Sequence, residues 1–265
     1  MSQNPRPHRS YPVAWGALPV IYSLLICGIV SAEEPPKPSD KQPQAANVVT
    51  GQVTYAGEIP LAPIANAAGT RRPLLTVDKR TGGLRNAVVS LTMDEGAAGV
   101  VPQVPPTDGL PAAVVDQIDE TFVPRVVAVR AGQAVEFRNS DGGNHNVRAA
   151  STIARNEFNT FTGPGGKYEH QFAAHPKERP VLIGCDIHPW MRAWVFVFEH
   201  PYFTVTDEAG RFMIENVPPG SYTLRVRQPD GGLSHDERIH VSSTKSSRVS
   251  IRFTNSDLAK SVKSP

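Results

Sequence analysis

Cysteine is scarce in this chain, which has two among 265 residues, Cys27 and Cys185. Exported proteins usually pair their cysteines, because the compartments that receive them are oxidising. Cys27 lies within the apolar N-terminal stretch 15–30, which is typical of an export signal. Loss of that signal would leave Cys185 without a disulfide partner. An unpaired thiol in such a compartment is expected to be buried, reactive or bound to a metal.

Acidic side chains are absent from the first 32 residues. Arg6 and Arg9 precede the apolar stretch, and small residues at 30–32 stand where signal peptidase cleaves. We predict cleavage after Ala32, which makes residues 1–32 a signal peptide and the mature chain periplasmic or otherwise exported, without membrane contact. The alternative is an uncleaved membrane anchor, although the stretch is somewhat short for a full span.

A strong excess of either charge is also missing. The chain has 27 Lys and Arg against 25 Asp and Glu, and the predicted signal removes two basic residues and no acidic one. The mature chain is therefore close to neutral. Without a basic block or a basic strand with interleaved aromatics, it is not expected to bind nucleic acid.

Helical periodicity is not evident, whereas 25 prolines and 21 glycines punctuate short Val-rich runs. This pattern predicts an all-β fold. The Pro-rich, polar residues 33–47 are predicted to be a linker, and the polar residues 255–265 a disordered tail. Between them, strands are predicted at 48–55, 87–92, 112–118, 125–130, 134–138, 167–172, 181–185, 193–198, 203–206, 211–215, 221–227, 237–241 and 248–253.

A short motif carries the chemistry: Cys185, His188 and Met191 supply a thiolate, an imidazole and a thioether within seven residues. Hard cations prefer oxygen ligands, and zinc rarely uses methionine, so this set of ligands points to copper. A trigonal site needs one more imidazole. His145 is the candidate, because it follows the turn at 141–144 and a β-sandwich can bring two such loops together at one end.

These residues resemble the cupredoxin family. The resemblance covers residues 110–199 and rests on Phe122-Val123-Pro124, the spaced residues from Val129 to Asp141, His145-Asn146-Val147 and a Cys-x2-His-x2-Met loop similar to that of amicyanin. It implies a Greek-key sandwich with one copper ion that cycles between Cu(I) and Cu(II). It also implies that Asn146 holds the ligand loop by hydrogen bonds.

Each of these residues has an ordinary alternative when taken alone, such as a core cysteine, a surface histidine or a methionine that fills the core. Their coincidence favours a metal site. The sequence has no His-x-His pair of the kind multicopper oxidases need, so we predict an electron-transfer protein and not an enzyme. The other histidines of the mature chain are assigned no metal role: His170, His175, His200, His235 and His240.

The C-terminal region shows a second resemblance. Residues 206–212 and 217–224 resemble the carboxypeptidase-regulatory, transthyretin-like β-sandwich, but this region lacks the first strands of such a module. Residues 48–94 could supply them, which predicts a split module of 48–94 with 200–254 that surrounds the cupredoxin. The alternative is an N-terminal extension with a separate C-terminal module.

The leading functional hypothesis is an exported mononuclear type 1 copper protein that carries one electron. A redox partner protein is expected to dock near His188 and Trp190. The alternative functions are a copper-binding surface or structural module without redox turnover, and an adhesion module that holds no metal.

Overall fold

The computed structural model of the protein describes residues 47–93 and 106–258. The predicted signal peptide and almost all of the predicted linker lie outside the described residues. Asn47, assigned to the linker, already belongs to the folded part, because its carbonyl accepts a hydrogen bond from the N–H of Val217. Among the described residues, no helix has both the length and the apolar character needed to cross a membrane.

Sixteen β-strands and two turns of 3-10 helix make up the regular structure of the described residues. The predicted all-β class is therefore confirmed. In chain order the strands are β1 (Val49–Ala56), β2 (Val88–Met93), β3 (Ala113–Ile118), β4 (Thr121–Val123), β5 (Val126–Arg130), β6 (Ala134–Asn139), β7 (His145–Ala150), β8 (Phe158–Thr162), β9 (Lys167–Gln171), β10 (Val181–Gly184), β11 (Arg192–Phe198), β12 (Phe203–Val205), β13 (Arg211–Ile214), β14 (Gly220–Gln228), β15 (Leu233–Val241) and β16 (Ser247–Thr254).

The central body, residues 113–198, consists of two sheets. One has the order β4-β3-β6-β9 and the other β5-β11-β10-β7-β8. Alternation along the strands sends one set of side chains inward, as in β6, where Val135 and Phe137 are fully buried. Phe137, Phe172 and Ile183 belong to the core of this body. Each such burial stabilises the fold by about 1.5–3 kcal/mol.

The flanking body combines residues 49–93 with residues 203–258. Strand β1 lies between β13, to which it is antiparallel, and β16, to which it is parallel; β2 lies between β12 and β14. Val53, Leu91 and Leu224 from both parts of the chain share one core. This pairing is what the split arrangement requires. That the flanking body is a domain in its own right stays a prediction.

Three strands were not predicted from the sequence: β4, β7 and β8. The expected disordered tail is wrong for its first four residues. Asn255–Asp257 form a 3-10 turn whose Asp257 carboxylate caps the N–H and hydroxyl of Thr254. Leu258 then packs into the core of the flanking body. The burial of this leucine explains why the chain stays ordered past β16, since apolar burial offsets the entropy of ordering.

Gly51 tests the placement of β1 between β13 and β16. A Cβ there would lie 2.2 Å from the carbonyl oxygen of Val249 and 2.5 Å from the Phe212 ring. Gly51→Ala should therefore lower the free energy of unfolding by about 1–3 kcal/mol. Gly142→Ala is the control, because its Cβ meets no atom within 4 Å. Chemical denaturation measures both variants, and equal stabilities would contradict the placement of β1.

Candidate metal centre

The predicted ligands come from three neighbouring strands. β10 pairs antiparallel with both β7 and β11. The first residue of β7, the residue after β10 and the residue before β11 therefore share one edge of the sheet. These residues are His145, Cys185 and Met191. This pairing brings His145 and Cys185 close together in space, although they are forty residues apart in the sequence.

Three of the four predicted ligands bring their donor atoms together. Nδ1 of His145 lies 2.9 Å from Nδ1 of His188, and Sγ of Cys185 lies 3.8 Å from the same His188 atom. One donor atom from each of the three residues falls within 4.8 Å of the others. His145 and Cys185 are buried, whereas His188 is half-buried. This is the single such group of three potential ligands in the part of the chain that the structure describes.

Met191, the fourth predicted ligand, closes the loop. Its N–H donates to the carbonyl of His188 at 2.9 Å, and its own carbonyl accepts from the N–H of Cys185 at 3.3 Å. Its side chain is 1% exposed and belongs to the same buried cluster as that of Cys185. The loop is thus a compact turn with both ends on adjacent strands.

Asp141 orients His145, a role that the sequence analysis missed. Its Oδ2 accepts a hydrogen bond from Nε2 of His145 at 2.8 Å. Because an ionised carboxylate only accepts, Nε2 of His145 is the donor in this contact, and Nδ1 is the ring nitrogen that faces Cys185 and His188. Asp141 lies four residues before His145 in the sequence, but residues 141–144 were interpreted only as a turn, so no role was given to the Asp141 side chain.

The Asp141 carboxylate is held from a second direction. It accepts backbone hydrogen bonds from Asp119 at 2.6 Å and Glu120 at 3.0 Å. Partial burial alone would raise the pKa of Asp141, but the hydrogen bonds from Glu120, His145 and Asp119 outweigh burial and lower it. Asp141 therefore stays ionised at neutral pH and keeps the orientation of His145.

Asn146 makes the contacts that its predicted role requires. Its Oδ1 accepts from the N–H of Asp186 at 2.7 Å and from Sγ of Cys185 at 3.2 Å. Its Nδ2 donates to Oδ1 of Asn159 at 2.7 Å and to Oδ2 of Asp186 at 3.2 Å. Asp186 also pairs with Arg148 at 3.1 Å. The start of the ligand loop is therefore bound to strands β7 and β8 by side chains.

The residues around the site fit a soft metal ion. One sulfur and two imidazole nitrogens suit copper or zinc and do not suit calcium or magnesium. A buried methionine in the same loop favours copper over zinc. The hydrogen bond from His145 to Asp141 and the contact of the Cys185 sulfur with Asn146 are typical of the hydrogen bonds that orient metal ligands.

The surface above His188 is partly apolar. The His188 ring contacts the half-buried ring of Trp190, with centroids 5.1 Å apart. Ile187, the residue before His188, is 50% exposed. A cavity of about 370 Å³ opens beside the two histidines, with Asp119 among the residues that line it.

Comparisons with known proteins give partial likenesses to solved structures and no family assignment. No protein-family model matches the sequence, and no curated protein matches it. A copper-containing nitrite reductase from Thermus scotoductus is 25% identical over 34% of this chain, with a TM-score of 0.30, and the match spans only 23% of the reductase. A purple cupredoxin from Nitrosopumilus maritimus is 21% identical over 32% of this chain and 99% of its own, with a TM-score of 0.28.

A reduced mutant of amicyanin is 21% identical over 42% of this chain and 98% of its own, with a TM-score of 0.30. At such TM-scores these likenesses carry no further conclusion. The case for a metal site depends on the side chains of this protein.

Asn146→Ala should loosen the ligand loop even without a metal. The N–H of Asp186 and the Cys185 thiol lose their shared acceptor, which should lower the free energy of unfolding of the metal-free protein by about 1–3 kcal/mol. Asn144→Ala removes an exposed amide from the adjacent turn and should change stability by less than about 0.5 kcal/mol. Denaturation curves compare the two variants, and equal losses would show that the Asn146 contacts do not stabilise the loop.

Proposed function

We propose that the protein is an exported carrier of single electrons that binds one copper ion through His145, Cys185, His188 and Met191. The observation that supports this most directly is the convergence of two imidazole nitrogens and one thiol sulfur at a buried site. Copper, when bound, supplies a one-electron step between Cu(I) and Cu(II). The predicted N-terminal signal supports export, with the mature chain in the periplasm or an equivalent compartment.

The protein's own residues are arranged to keep the ligands in place. Asp141 fixes the ring of His145, Asn146 fixes the start of the loop, and the strands fix both its ends. Ligands on rigid elements move little when the charge at the site changes, and this keeps reorganisation small. The burial of His145 and Cys185 limits their contact with water, while the half-buried ring of His188 provides the route to the surface.

The flanking body has a separate place in the proposal. We propose that residues 48–94 and 200–254 form one split transthyretin-like module that acts as a structural or interaction unit. The support is the shared pairing of β1 and β2 with strands from the C-terminal part of the chain.

Copper titration tests the site. One equivalent of Cu(II) added to the exported protein should produce an intense thiolate-to-copper band in the visible spectrum and a matching EPR signal. Cys185→Ser should abolish the band, because the thiolate is its source. His240→Ala is the control, since His240 is exposed on β15. A band that survives Cys185→Ser would contradict the ligand assignment, and copper that cannot be reduced reversibly would favour a structural copper site.

Partner docking is tested at the apolar surface around His188. Ile187→Lys places a charge there and should slow electron self-exchange between reduced and oxidised molecules by at least about tenfold, since weak encounters depend on an apolar contact. Leu61→Lys is the control. Leu61 is similarly exposed, at 57%, but it belongs to the flanking body. NMR line broadening measures the exchange. Equal rates in both variants would contradict docking near His188 and Trp190.

A further inference from the structure

A tight turn of the flanking body reaches the central body beside the ligand loop. The turn joins β14 to β15, and its Asp230 side chain is only 5% exposed. Arg125, just before β5, meets this carboxylate with two hydrogen bonds, from Nε at 2.6 Å and from Nη2 at 2.5 Å. A two-pronged contact of this kind fixes the guanidinium in one plane.

The third nitrogen of the same guanidinium binds the end of the ligand loop. Nη1 of Arg125 donates to the carbonyl of Arg192 at 2.6 Å. Arg192 directly follows Met191 and begins β11. The indole N–H of Trp194, two residues further on, donates to Oδ1 of Asp230 at 3.1 Å. Asp230 is therefore joined to β11 both directly and through Arg125.

The carboxylate of Asp230 faces two arginines, Arg125 at 2.5 Å and Arg72 at 3.7 Å. Burial alone would raise the pKa of Asp230, but the hydrogen bonds and charge of Arg125, the Trp194 indole and the charge of Arg72 together lower it. Because Asp230 is buried and ionised, loss of Arg125 would leave its carboxylate with only the Trp194 indole at 3.1 Å and Arg72 at 3.7 Å as partners among the described residues.

Beyond the pairing of β10 with β11, one backbone hydrogen bond joins the two ends of the loop. The hydrogen bond from the N–H of Cys185 to the carbonyl of Met191 is long, at 3.3 Å. At the start of the loop, the side chain of Asn146 accepts hydrogen bonds from Cys185 and Asp186. At the end of the loop, the side chain of Arg125 donates to the carbonyl of Arg192. The end of the loop is thus supported by a group whose own orientation depends on the flanking body.

We infer that Asp230 is a positioning residue for the metal centre, which acts through Arg125 on the Arg192 carbonyl and so sets the end of the Cys185–Met191 loop. This inference rests on the proposed copper function. It means that residues 110–199 do not contain everything that shapes the site, although they contain all four proposed ligands.

A second contact between the two bodies provides a matched control. Glu178 accepts hydrogen bonds from Ser90 and Thr92 and pairs with Arg225 at 3.3 Å. It lies before β10, whereas Cys185 follows that strand, so the two are separated by roughly 13 Å or more along an extended strand. Glu178→Gln weakens the attachment of the bodies without touching the ligand loop.

The experiment compares the full exported chain with Asp230→Asn, Arg125→Lys and Glu178→Gln. Hydrogen exchange of the peptide 185–192 is measured on the metal-free proteins, and copper affinity by competition with a chelator. Asp230→Asn should speed exchange of the loop amides and lower copper affinity by about tenfold or more, the size of effect typical when a supporting group around a metal is lost. It should also shift the visible band. Glu178→Gln should leave the exchange, the affinity and the band at wild-type values.

Arg125→Lys keeps the charge opposite Asp230 but has no second arm for the Arg192 carbonyl. Arg125→Lys should therefore show the same faster hydrogen exchange of the loop as Asp230→Asn. If Asp230→Asn does not fold, the exchange measured in Arg125→Lys tests the inference. Wild-type loop exchange in Arg125→Lys, or equal loop exchange in Asp230→Asn and Glu178→Gln, would overturn the inference. If the wild-type protein takes up no copper, the proposed function fails, whereas the exchange of the metal-free proteins still tests the role of Asp230.

Discussion

The pairing of β10 with β7 on one side and β11 on the other is the constraint on which the candidate metal centre depends. It places the start of β7, the end of β10 and the start of β11 at one edge. The hydrophobic residues that alternate along these strands hold the register, because a shift by one residue would turn buried side chains such as Val195 outward. The ligand positions are thus a by-product of core packing.

Hydrogen bonds then fix the orientation of the side chains and the loop that the strands bring together. Carboxylates support the two sides of the site: Asp141 orients the ring of His145, and Asp230 holds Arg125. Neither touches the cluster of donor atoms directly. Both are anionic groups with lowered pKa values, so their orienting effect persists across the neutral pH range and requires no proton exchange with solvent.

The sequence predicted the parts of the fold and site that depend on local pattern. Alternating apolar runs located β6, β10 and β11, and the types and spacing of Cys185, His188 and Met191 indicated the loop. β7 was not predicted because it begins with His145 and Asn146. Both are polar yet buried, so they do not give the apolar pattern of a buried strand. The role of Asp230 could not be predicted, because the contact with Arg125 spans 105 residues and joins two bodies. A local pattern carries no information about such a pair.

The order of strands along the chain also sets an order of events in folding. β1 hydrogen-bonds to β16, as in the bond from Thr54 to Ile251, 197 residues away. The strands of the central body are contiguous in sequence, so their loops close at lower entropic cost. We therefore expect the central body to form first and the flanking sheet to close later, through long-range pairs such as β1 with β16. On this order we expect the ligand loop to form before the β14–β15 turn brings Asp230 against Arg125, so that attachment of the flanking body completes the support of the loop.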